Sequence, residues 1–201
     1  MLYSWTARLN YILYNVMALL FACGVINHVT TRWGHHMGLA DSPIGIDRSN
    51  ISFKVKEVDQ FLFDRYFKED AMSFTFDLDV DVTPLMNWNT HTVLAAVVCE
   101  FTSEKGEASS VTVWDQRIMR PATEHHHIQL TNEHVEYYLT DVNRELKDKD
   151  VRVFFRWEHM STIGSYYAEM IEMGSFKGPK KYSGNSKRQF SPGPHTRNVN
   201  Y

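Results

Sequence analysis

The residues best equipped for chemistry are three consecutive histidines, His125, His126 and His127, and three alternating carboxylates, Asp77, Asp79 and Asp81. A protein-bound metal needs several imidazole, thiolate or carboxylate ligands converging on one point. Neighbours on an extended strand face opposite ways, so at most His125 and His127 could share an ion, and no H-E-x-x-H sequence supports it. A solvated strand edge is the better reading. The aspartates resemble part of a calcium loop, but Val82 breaks the D-x-D-x-D-G pattern. The regular insertion of Leu78 and Val80 between them belongs to a strand, so they read as a polar outer face, with a basic partner as the alternative use. No metal ligand or cofactor-binding residue is assigned.

Nucleophilic chemistry finds no better support. Neither G-x-S-x-G nor S-x-x-K occurs, so the usual settings of an acyl-transfer serine are missing. The two cysteines, Cys23 and Cys99, fall in different surroundings, an apolar N-terminal run and a strand, and are expected as free thiols. Asn50-Ile51-Ser52 is an N-glycosylation sequon, usable if this part of the chain enters the secretory pathway. A net charge of -3 and a pI near 6.4 offer no cationic field for nucleic acid. No catalytic residue and no small-molecule substrate follow from these patterns.

The elements around these residues are mostly strands. Phe74, Phe76, Leu78, Val80 and Val82 alternate with polar residues, the period of a half-buried strand. Pro84 stops that ladder, and Asn87-Trp88-Asn89 marks a corner before a second, almost wholly apolar run from Thr92 to Phe101. A third run at Val111, Val113 and Trp114 completes an expected three-strand meander, which more strands must cover. Further strands are expected at Ile51 to Val58, Glu124 to Leu130, His134 to Leu139, Val151 to His159 and Tyr166 to Glu172. In the Val151 run, Val151, Val153, Phe155 and Trp157 share one face. Gln60 to Asp70 reads equally as a loop folded onto the sheet or as one helical turn. Eight or so strands at short spacing predict an all-β antiparallel sandwich.

Leu9 to Ile26 contains no charge and would span about 27 Å as a helix. Three readings compete: an uncleaved signal-anchor, a cleaved or lipidated leader, and a buried core helix. The anchor fits best, because the run is longer than a cleaved leader needs. Flanking charge is near a tie between Arg8 and Arg32, so orientation rests on the short N-terminal flank remaining cytosolic while the long remainder is translocated. The expected organisation is therefore a cytosolic segment 1–8, a transmembrane helix 9–26, a linker 27–49, a lumenal sandwich 50–176 and a basic flexible tail 177–201. Trp5, Tyr11, Tyr14 and Trp33 would suit interfacial aromatic belts.

The corner carries a family resemblance. Phe76 to Leu78, then Asp81-Val82-Thr83-Pro84-Leu85-Met86-Asn87-Trp88-Asn89-Thr90, and later Val111-Thr112-Val113-Trp114-Asp115-Gln116-Arg117-Ile118, resemble subunit 3 of the eukaryotic signal peptidase complex. The residues that carry it are Phe76, Asp81, Leu85, Asn87, Trp88, Asn89, Trp114 and Asp115, with Trp157 matching more loosely. Met86 and His91 depart from the more usual Phe and Lys, and the basic tail reads as an extension. The resemblance implies a single-pass type II protein of the endoplasmic reticulum membrane. It would be a non-catalytic subunit that supports the catalytic serine-protease subunit and partners the other subunits in removing signal peptides. Two rivals remain on the residues alone: a secreted or lipid-anchored β-sandwich binding module, and a metal enzyme built on His125 and His127.

Overall fold

The computed structural model describes residues 4–33, 45–63, 69–119, 126–164 and 166–182. Its first element is α1, Trp5–Trp33, followed after a short 3-10 turn at Arg48–Asn50 by eight strands. They are β1 (Ile51–Phe63), β2 (Glu69–Asp81), β3 (Thr90–Thr102), β4 (Ala108–Met119), β5 (His127–His134), β6 (Leu139–Asp141), β7 (Asp150–Ser161) and β8 (Tyr166–Lys177). Two four-stranded antiparallel sheets result. In the first, β2 has β1 along one side and both β5 and β6 along the other; the second runs β4-β3-β7-β8. Phe74, Phe76, Leu78 and Val80 of the first sheet share one core with Val93, Val97, Phe155 and Trp157 of the second, which makes the body a sandwich.

The expected meander is not formed. β2 belongs to one sheet and β3 to the other, so the Asn87-Trp88-Asn89 corner carries the chain across the core instead of back along its own sheet. The reason lies in β3, where apolar residues occupy nearly every position. Its inner face packs through Val93, Ala95, Val97 and Cys99, and Ala96 and Val98 on the outer face are also covered. Such a strand is stable in a sheet centre, between β4 and β7, rather than beside the one-sided β2.

Other boundaries moved for similarly local reasons. The segment read as a loop or helical turn continues β1 to Phe63 and begins β2 at Glu69, pairing Gln60 with Met72 and Phe61 with Ala71. The expected break at Thr131-Asn132 is instead a bulge within β5: Asn132 takes φ 56° and the register against β2 shifts there. A second bulge in β4 explains why Val113 and Trp114 are both buried. It frees the Val113 carbonyl to accept the N–H groups of Glu136 and Tyr137, stitching one sheet to the link between β5 and β6. α1 is also longer than the charge-free run, extending to Trp5 and Trp33 and absorbing part of the expected linker. His125 and the tail beyond residue 182 lie outside the described residues.

Beneath this core, Gln60 donates to Asp70 Oδ2 at 2.7 Å, and both side chains are buried. Burial raises the Asp70 carboxyl above its ordinary 3.8, against the pull of Gln60 and of the Leu146 and Ala71 backbone groups. The folded chain therefore holds this proton to higher pH than the unfolded chain. Its contribution to stability is complete below pH 3.8 and is lost as pH rises through the raised value. In thermal unfolding of the full chain in detergent, the midpoint of Asp70→Asn minus that of the parent should grow from pH 4 to pH 7. A constant difference contradicts this assignment.

Candidate functional site

Both sheets present their helix-side ends together: the starts of β1, β3 and β8 and the ends of β2, β4 and β7. The corner sits there, and each of its residues has a definable local task. Asp81 Oδ1 accepts the Thr83 N–H at 2.9 Å, closing the turn that Pro84 begins. Leu85 is fully buried beneath it. Asn87 Oδ1 accepts the Asn89 N–H at 2.8 Å, and the Asn87 N–H donates to Thr90 Oγ1 at 2.8 Å. These bonds bend the chain so that Asn89 points inward and Trp88 outward.

Asn89 is the joint between helix and sandwich. Only 2% exposed, its Nδ2 donates to Thr31 Oγ1 of α1 at 3.0 Å and to the Ile163 carbonyl at 2.8 Å, while Oδ1 accepts the Ile163 N–H at 3.1 Å. Its own carbonyl accepts the Thr162 N–H at 2.7 Å. From the helix side, Asn27 Nδ2 donates to the same Ile163 carbonyl at 2.6 Å. Gly164 makes room for this: its φ of +102° disfavours a side chain, and a Cβ there would lie 3.1 Å from Asn27 Nδ2. Trp88 overhangs α1, so that Cys23, Ile26, Asn27, Thr30 and Trp88 line a groove of about 530 Å³.

Behind the joint lies a buried histidine. Thr90 Oγ1 donates to the Leu85 carbonyl at 3.1 Å, which leaves His159 Nε2, 2.8 Å away, to act as donor to the threonine oxygen. The ring stacks on Tyr167 with centroids 4.5 Å apart. Burial pulls the His159 pKa below 6.5, opposed by its own backbone. Ser161 Oγ is 3.5 Å from Nδ1, yet the other ring nitrogen is committed to Thr90 rather than to a carboxylate, so the pair lacks the orienting acid of a hydrolytic triad.

The other sequence-selected residues do structural work or lie apart. Phe76 packs 6.4 Å from the Trp114 ring, Trp157 is fully buried, and half-buried Asp115 sits opposite Ala96 in the sheet. Asp77 pairs with Lys56 at 2.7 Å and accepts the Asn132 N–H, which together hold its carboxyl below the usual 3.8. Asp79 meets His127 at 2.5 Å. The expected acidic face is thus occupied by partners from β1 and β5. Among the described residues no group of three His, Cys, Asp or Glu is placed to hold a metal. Cys23 and Cys99 are free thiols, and burial pushes Cys99 up to about 12. Asn50 is exposed at the end of the 3-10 turn.

Sequence reasoning missed Asn27, Thr31, His159 and Ile163. A polar Asn27 closing an apolar run was a usable signal; nothing marks Ile163, which acts through its backbone.

A family model described as signal peptidase subunit matches residues 2–181, nearly the whole described chain. This chain belongs to the signal peptidase subunit family. A relative in Yarrowia lipolytica named "Signal peptidase complex subunit 3" is 29% identical over 115 residues, 56% of this chain and 61% of that protein. One of the same name in Dictyostelium discoideum is 24% identical over 136 residues, covering 68% and 77%. Another in Saccharomyces cerevisiae is 36% identical over 76 residues, covering 38% and 41%. The resemblance read from the corner motif is therefore the right one, and within this family member the motif builds the helix joint.

Asn89→Ala should destabilise the full chain by about 1–3 kcal/mol, because the buried Thr31 hydroxyl and the part-buried Ile163 N–H lose their partner. Thermal or denaturant unfolding in detergent measures it, and a loss under about 0.5 kcal/mol would be that of an ordinary surface change. His159, lowered in the fold, stabilises fully above pH 6.5 and progressively less as pH falls through its folded value. His126, also lowered by burial, acts in the same direction. His159→Gln should therefore lose less stability than the parent between pH 6.5 and pH 5.

Proposed function

We propose that this chain is a non-catalytic, single-pass type II subunit of the endoplasmic reticulum signal peptidase complex. Its sandwich stands in the lumen and holds the catalytic serine-protease subunit close to the bilayer, where signal peptides are cleaved. The observation that carries this reading is an apolar helix, none of whose membrane-length window is buried, hydrogen-bonded at its foot to a sandwich through a family-motif asparagine. A buried core helix would be covered, so the bare surface of this one supports the anchor. Positioning a partner's reactive groups accelerates a reaction without contributing one.

The outer face of the second sheet suits the partner. Ala96, Val98 and Phe154 form an apolar cluster there, with Arg152 over the Phe154 ring at 5.5 Å and exposed Met170 beside it. The three clustered side chains are themselves covered, so what this face offers a partner is exposed Met170 with the exposed guanidinium groups of Arg152 and Arg156. Within the bilayer, Asn15 already donates to the Tyr11 carbonyl at 2.7 Å; with Asn10 it offers further bonds to neighbouring helices, worth about 1 kcal/mol or less each. Asn50 would carry a glycan.

Purification in mild detergent should bring a catalytic signal peptidase subunit along, and depletion of the chain should leave precursors unprocessed. Met170→Glu should weaken that co-purification several-fold while leaving the unfolding midpoint unchanged. Intact mass separates this reading from a processed, lipid-anchored module, since an anchor is retained. An endoglycosidase-sensitive shift abolished by Asn50→Gln would report a lumenal sandwich.

A further inference from the structure

The joint fixes the depth of the sandwich relative to the membrane. The candidate membrane span of α1 runs from Trp5 to Thr31, 27 residues, and about 40 Å as a helix. That equals a bilayer with its headgroup layers, whose hydrocarbon core is about 30 Å thick. Thr31 therefore falls near the outer limit of the headgroups. Asn27, one turn earlier and about 6 Å deeper, falls at the boundary with hydrocarbon. Yet Asn27 is hydrogen-bonded to Ile163, and Thr31 to Asn89. The β7–β8 loop and the corner are thus fastened to the helix below the bilayer surface, not above it.

The side chains at that level have the chemistry the depth demands. Ile163 is 64% exposed and Trp88 53% exposed. Around them, along the outer edge of the second sheet, stand exposed Met119, Met160 and Tyr166, in adjoining register positions across β4, β3, β7 and β8. No Lys, Arg, Asp or Glu occurs from Ser161 to Tyr167 or from Val82 to Asn89. Trp and Tyr favour the headgroup level, and an isolated Ile gains by leaving water. The groove under Trp88 reaches Cys23, about 12 Å inside the Thr31 end, and so opens among acyl chains.

We propose that the helix end of the sandwich is a second membrane-contact site, in which Ile163 and Trp88 insert into the interfacial layer of the bilayer and the groove beside them receives a phospholipid acyl chain. This inference rests on α1 spanning the membrane. Two contacts in place of one would stop the sandwich from swinging about its anchor and hold its far end at a set height.

Spin labels on the full chain reconstituted into phosphatidylcholine vesicles test it, in a Cys23→Ser background, with buried Cys99 left in place. Labels are introduced singly through Ile163→Cys, Met17→Cys in mid-helix and Val142→Cys, an exposed site at the opposite end of the sandwich. Ile163 contributes only backbone atoms to the joint, so its side chain is replaceable. The ratio of oxygen to nickel-chelate accessibility should be several-fold higher at 163 than at 142, approaching that at 17. A lipid-like ratio at 17 with a water-like ratio at 163 overturns the second contact while leaving the anchor intact. A water-like ratio at 17 as well would overturn the anchor, and with it this inference.

Discussion

Two side-chain amides couple the helix to the sandwich, that of Asn27 on the helix and the buried one of Asn89 at the corner. An amide can offer two donors and accept twice, and that of Asn89 uses both ends at once, toward Thr31 on the helix and both backbone polar groups of Ile163. Removing it would take a partner from the buried Thr31 hydroxyl and from both part-buried peptide groups of Ile163, which is why a single residue has such leverage. Everything nearby serves its placement: Asp81 and Pro84 turn the chain, Asn87 bends it, Leu85 roots it in the core, and Gly164 leaves space for Asn27.

The sandwich supplies rigidity for that joint. Its apolar core runs through both sheets, and bulges tailor the ladders, among them one letting β5 follow β2 and one turning the Val113 carbonyl toward the link between β5 and β6. Some polar groups that enter the interior are paired, as Gln60 Nε2 with Asp70 Oδ2 and Thr90 with His159, whereas Thr92 Oγ1 and Trp157 Nε1 are buried without a partner. Titration of Asp70 and His159 makes stability respond to pH, in opposite senses for the carboxyl and the imidazole.

Among the described residues, several reactive side chains end up occupied. Asp77 and Asp79 are satisfied by Lys56 and His127, His159 is occupied by Thr90, and Cys99 is sealed in the core. Exposed apolar side chains stand along the helix and the joint-side rim, and at Met170 on the second sheet. Membranes and partner proteins are recognised by such surfaces.

The alternation of Phe74 to Val82, the uniform apolarity of β3 and the one-faced run from Val151 to Trp157 determined strands, and the length of the N-terminal run determined a helix of membrane-spanning size. These are local properties, written in periods of two residues or in unbroken hydrophobicity. The corner was likewise visible as residues, and its family likeness with it. Which sheet each strand joins was not visible, because β2 and β3 are neighbours in the chain but their partners, β5 and β7, lie far along it. Nor was the purpose of Asn89: its bonds close loops of 58 and 74 residues, and one partner, Ile163, contributes only peptide groups that every residue possesses. Only folding the chain back on itself could say which peptide that would be.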